Sequence, residues 1–80
     1  MNMVVATISM FDLKQSIYVV KDDKCTSYGT VPTLEVADVV IKICEELDIK
    51  NVRLYGVHDF LQQFIYKIKE KNKDIIVEVN

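Results

Sequence analysis

The stretch from residue 4 to residue 32, VVATISMFDLKQSIYVVKDDKCTSYGTVP, decides how the rest of the chain must be read. Residues 3–10 alternate Val4, Ala6, Ile8 and Met10 with Val5, Thr7 and Ser9, the period of a strand with one buried face. Residues 15–20, QSIYVV, are β-branched and aromatic and predict a second strand. Phe11 to Lys14 joins the two through a turn that Asp12 starts. The charged run Lys21-Asp22-Asp23-Lys24 suits a second hairpin. Cys25 to Val31 then predicts a third strand, with Gly29 marking a bulge or a close approach.

Working outward, Pro32 ends that strand and the period changes. Thr33 is a suitable N-cap for a helix over 34–47, with Ala37, Val40, Ile41, Cys44 and Leu47 spaced by three and four and Val36, Val39 and Ile43 widening the stripe. Glu35 and Asp38 suit the positive end of its dipole. Residues 52–55 predict a short strand that Gly56 breaks. Asp59 with Gln62 resembles a capping box for a second helix over 60–71, whose inward stripe is Phe60, Leu61, Phe64, Ile65 and Ile68. Lys67, Lys69, Lys71 and Lys73 gather near its C-terminal end, where cations complement the dipole, and Asn72 can serve as its C-cap. Residues 75–79 form a last strand.

Composition fits one small, densely structured domain. The chain has 80 residues, half of them apolar, with only 2 Gly and 1 Pro, so loops must be short. Such a chain is too apolar and too weakly charged for a disordered segment. Lys+Arg 10 against Asp+Glu 12, net charge -2, argues against a generally basic nucleic-acid binder. The opening MNMVVATISM has no cation ahead of its apolar run, as a signal peptide would, and no run approaches the ~20 apolar residues of a membrane span. The expectation is a cytoplasmic, reducing setting without membrane attachment. Lys, Asn and Ile usage points to an AT-rich genome, bacterial or phage. Cys25 and Cys44 do not make a disulfide framework, and Cys44 falls in the apolar helical stripe.

The element order is β-β-β-α-β-α-β. Short links make the first three strands an antiparallel meander, and the helices make right-handed crossovers to parallel strands. A five-stranded mixed sheet of order 3-2-1-4-5 meets these conditions, in the α/β class, with both helices on one face. In its order of elements, and in the opening hairpin VVATISMFDLKQSIYVVKDDKCTSYGTVP, the chain resembles the ribonuclease H-like core. That resemblance implies nucleic-acid cleavage by two Mg²⁺ ions, held by an Asp on the first strand and further acids after the fourth and fifth. Thr7 and Ser9 stand where the first Asp is expected, Asp12 falls in the turn, and no acid follows the fourth strand until Asp59. Hydroxyls do not replace carboxylates as hard ligands for such a pair. A Mg²⁺ enzyme using Asp12, Asp59 and Glu78 is therefore disfavoured, and no catalytic group, metal or cofactor is assigned. His58 is the lone histidine, and there is no phosphate-binding glycine loop or nucleophile motif.

With both helices on one side, the reverse of the sheet is left uncovered. Alternation places Val5, Thr7, Tyr18, Val20, Tyr28, Arg53, Tyr55 and Ile76 there, against Cys25, Ser27, Gly29 and Val31 of the third strand on the helix side. Three tyrosines and an arginine around aliphatic residues have the composition of an interface. The expected binding residues are Thr7, Tyr18, Tyr28, Arg53 and Tyr55. The expected function is a non-enzymatic interaction or regulatory protein that engages a protein partner or a second copy. The alternative is a nucleic-acid-binding relative or subunit of the ribonuclease H-like nucleases, with tyrosines stacking on bases. The outer strands offer a second route to self-association, the fifth being the stickier.

Overall fold

A computed structural model describes residues 1–80. Its elements are β1 (Met3–Thr7), β2 (Lys14–Lys21), β3 (Lys24–Pro32), a 3-10 turn (Thr33–Glu35), α1 (Val36–Leu47), β4 (Asn51–Tyr55), α2 (His58–Lys71) and β5 (Ile76–Val79). They build one sheet of order β3-β2-β1-β4-β5. β1, β2 and β3 are antiparallel neighbours, whereas β1 with β4 and β4 with β5 are parallel. The sheet order read from the element sequence is the one observed.

Both helices pack on the same side and touch each other. Val4, Ala6, Ile17, Val52 and Leu54 point into that layer and are fully or almost fully buried. They meet Val36, Ala37, Val40, Ile41, Ile43 and Cys44 from α1 and Leu61, Phe64 and Ile68 from α2. Phe60 and Phe64 stack edge to face at 5.6 Å. Between the helices, the Lys71 ammonium reaches the Asp38 carboxylate at 2.7 Å. That hydrogen bond holds the Asp38 carboxyl below its ordinary range. So one of the clustered lysines ties α2 to α1.

Turn chemistry explains the tight connections. Asp22 (φ 53°) and Asp23 (φ 65°) both take left-handed backbone between the paired Lys21 and Lys24, the geometry of a two-residue hairpin turn. Asp48 (φ 55°) ends α1 in the same conformation and delivers buried Ile49 to the core. At Gly56 a side chain is sterically barred, because a Cβ would lie 2.5 Å from the Ile8 carbonyl oxygen.

Several local expectations are corrected. β1 stops at Thr7: although the Ile8 N–H still bonds the Tyr55 carbonyl at 2.8 Å, Ser9 is drawn into a turn and Met10 ends half-exposed. Thr33 does not cap α1; a 3-10 turn intervenes and its hydroxyl donates instead to the Asp12 carbonyl at 3.0 Å. The Asp59–Gln62 capping box does not form, because α2 begins earlier, at His58, with Val57 as its N-cap and no side-chain cap. Asp59 acts only as an acid in the first turn. Leu47 is more exposed than its place in the stripe predicts, and Ile49 is buried beyond it.

The largest correction concerns β3. Its pairing with β2 shifts between Ile17 and Tyr18: Ile17 faces Gly29, but Tyr18 faces Ser27. Tyr28 is the extra residue of a bulge, and the side-chain alternation inverts across it. Cys25 and Ser27 therefore lie opposite Val20 and Tyr18 on the bare face, not on the helix side, while Thr26 faces Val19. Gly29 (φ 130°) beside the bulge has open space around it, so backbone conformation and not crowding favours glycine there.

Candidate functional site

The pairing register orders the bare face into rows that cross the sheet. One row brings Ser27, Tyr18, Val5, Arg53 and Glu78 side by side. The next sets Thr30, Ser16, Thr7 and Tyr55 together. On the other side of the first row, Cys25 and Val20 lie opposite each other with Met3 beyond them, and Asn51 faces Ile76. Directly opposed side chains in such rows are neighbours. Val5, Tyr18, Val20, Arg53 and Tyr55 are all half-buried by their neighbours, with no layer above them.

Four of the five expected binding residues, Thr7, Tyr18, Arg53 and Tyr55, thus fall on one contiguous surface. Tyr28 is displaced into the β3 bulge, 52% exposed and outside the paired rows. Arg53 lies 3.6 Å from the Glu78 carboxylate across β4 and β5. The Tyr55 hydroxyl and then Glu78 hold its guanidinium above the ordinary value, so its charge is fixed.

A cleft of about 320 Å³ opens at the C-terminal ends of β1 and β4. Thr7, Ser16 and Tyr55 of the bare face line one part of it, and Ser9, Asp12, Lys14 and Gln15 the other. Its floor is organised by Gln15, the one buried polar side chain. The Gln15 carbonyl accepts the Ser9 N–H at 2.8 Å. Its amide donates to the Ser9 carbonyl (2.8 Å), the Asp12 carbonyl (3.0 Å) and the Thr33 hydroxyl (2.9 Å). The Thr33 N–H adds a bond to the Leu13 carbonyl at 2.9 Å. Two amide hydrogens shared among three acceptors leave the loop after β1 little freedom.

That clamped loop presents Phe11 and Leu13 to solvent at 89% and 88% exposure, beside Leu34 at 87%. The sequence places Phe11 and Leu13 only in the turn that Asp12 starts, and neither their exposure nor the Gln15 clamp follows from that placement. An apolar pair in a loop too short to fold back on itself was the available signal.

The acids considered for cation binding are not brought together. Asp12 is in the β1–β2 loop, Asp59 in the first turn of α2, and Glu78 pairs with Arg53 on β5. No group of three His, Cys, Asp or Glu side chains is placed to share a metal ion. The two thiols are free and lie apart in environment. Cys25 is exposed on β3, whereas burial in α1 pushes the Cys44 thiol up to about 11. No helix is long and apolar enough to cross a membrane. Compared with known proteins, the chain matches no family model and no curated sequence.

Proposed function

We propose that this chain is a small non-enzymatic interaction module that engages a protein partner, or a second copy, through the bare sheet face. The supporting observation is the pair of rows that sets Tyr18, Val5 and Arg53 beside Thr7 and Tyr55 on a surface without a covering layer. Tyrosine offers large contact area at small entropic cost, and its hydroxyl tolerates water while no partner is present. The cleft joins this face to the exposed apolar loop, which extends the surface available to a partner. On this reading the chain is a relative of the ribonuclease H-like cores that keeps the sheet and lacks the carboxylates.

Nucleic acid is the weaker occupant. The cations on this face are Arg53, which Glu78 already pairs with, and Lys14 at its rim beside Ser16. Further phosphate contacts would have to come from elsewhere and would show as strong salt dependence.

The test is the double substitution Tyr18→Ser, Tyr55→Ser. The expected outcome is an unchanged circular dichroism spectrum with loss of partners captured by the immobilised wild-type chain. Identical capture by wild type and variant overturns the reading.

A further inference from the structure

Strand backbones direct N–H and C=O groups alternately to their two sides. In β5 the Ile76 N–H reaches the Lys50 carbonyl at 2.7 Å, and the Asn80 N–H reaches the Leu54 carbonyl at 3.0 Å. The even-numbered residues therefore serve β4, and the backbone groups of Val77 and Val79 point away from the sheet. β5 is the outermost strand, so nothing in the chain meets them.

The two edges of the sheet are treated differently. β3 has Lys24 at its start, Pro32 at its end and a bulge at Tyr28, all devices that discourage edge pairing. β5, Ile76-Val77-Glu78-Val79, has no lysine, proline or bulge. Its Val77 and Val79 are only half-buried on the helix side, and Ile76 is 55% exposed on the other.

We propose that two copies of this chain pair antiparallel through β5, about a two-fold axis at Val77, joining both sheets into one. This surface is distinct from the bare face and does not depend on it. The strand is self-complementary in that register. Val77 faces Val77 and exchanges both backbone bonds, and Val79 faces Ile75. On the helix side the half-buried valines gain cover. On the bare side Ile76 faces Glu78 of the second copy, and each Glu78 retains its own Arg53 at 3.6 Å, which offsets the approach of the two carboxylates. Centring the axis on Ile76 leaves Val79 outside the pairing. Centring it on Glu78 sets like charges directly opposite, which is unfavourable.

Sedimentation equilibrium from micromolar to millimolar protein tests this. The wild type moves from 9.2 kDa toward twice that mass. Val77→Pro removes only an outward N–H and spares the groups that bond β4, so it weakens the dimer roughly tenfold or more with an unchanged dichroism spectrum. Ile76→Glu weakens it as well, whereas Ile76→Lys, opposite Glu78, preserves or strengthens it. This pair decides the matter if the proline variant fails to fold. Tyr18→Ser with Tyr55→Ser leaves the dimer intact. A wild type that stays at 9.2 kDa, a dimer that survives Val77→Pro, or equal loss in the two Ile76 variants overturns the proposal. Loss only in the tyrosine variant also overturns it and assigns self-association to the face.

Discussion

Leu54 and Tyr55 are one step apart on β4 and live on opposite sides of the sheet. Leu54 is fully buried among branched aliphatic side chains under the helices, while Tyr55 lies half-covered beside Thr7 and Arg53 with nothing above it. The helix side is chosen for shape: Val, Ile, Leu and Ala fill space with few polar atoms. The bare side is chosen for tolerance: its residues keep an apolar body and a polar end, so the surface survives in water and still offers area to a partner. The difference teaches that the two faces meet different physical demands, one the exclusion of water from a packed layer and the other lasting exposure to it.

The largest test of that contrast is the adjacent pair itself. Leu54→Ala should destabilise the domain by about 2–5 kcal/mol, through lost transfer energy plus a cavity. Tyr55→Ser should cost about 1 kcal/mol or less, since its site is open to water. Urea unfolding of both variants checks this, and equal losses would erase the distinction between the faces.

A smaller effect sharpens the comparison at its exception. Gln15 is a polar residue on the helix side, opposite Val31. Gln15→Leu keeps the approximate volume but leaves the Ser9 N–H without its partner and removes one of the donors to each of the Ser9 and Asp12 carbonyls. The expected loss is about 1–3 kcal/mol, the cost of unpaired buried groups. It should come with faster hydrogen exchange at Ser9, whereas a purely space-filling role predicts no change in exchange there.

The smallest effect uses the two cysteines, one on each side. Alkylation of the native protein near neutral pH should modify Cys25 and spare Cys44, with mass spectrometry reading the sites. Cys44 has its folded pKa raised by burial from 9.0 to about 11, so its neutral form belongs to the folded state. The associated stability is complete below pH 9.0 and declines as pH rises toward about 11. Cys44→Ala should remove that alkaline decline from the unfolding curve, and Cys25→Ala should not.

Much of the fold is legible in the chain. Val4, Ala6 and Ile8, then Val52 and Leu54, show a two-residue period that states which side is buried. Ala37, Val40, Ile41 and Cys44 show the helical one. β3 is different. Its Lys24–Tyr28 half is exposed throughout, so no apolar alternation pins its register, and the inversion at Tyr28 leaves no trace in the residue pattern. Of the candidate site, Thr7, Tyr18, Arg53 and Tyr55 follow from the alternation of well-patterned strands. Tyr28, Cys25 and Ser27 required the register. At Met10 the apolar alternation of the sequence runs on toward the core, whereas the Gln15 side chain bends the chain at Ser9 and turns Met10 out.

The sequence by itself determined the order of elements, the sheet order and the division into a packed face and a bare one. Those properties depend on periods of two and of three to four residues, which are local. Only the tertiary structure decided the bulge in β3, the clamping of the exposed Phe11–Leu13 loop and which backbone groups of β5 face outward. Each depends on a group far along the chain: Ile17 and Tyr18 against Gly29 and Ser27, Gln15 against Thr33, Ile76 against Lys50. Such pairings are settled by which hydrogen bonds remain available once the core has closed.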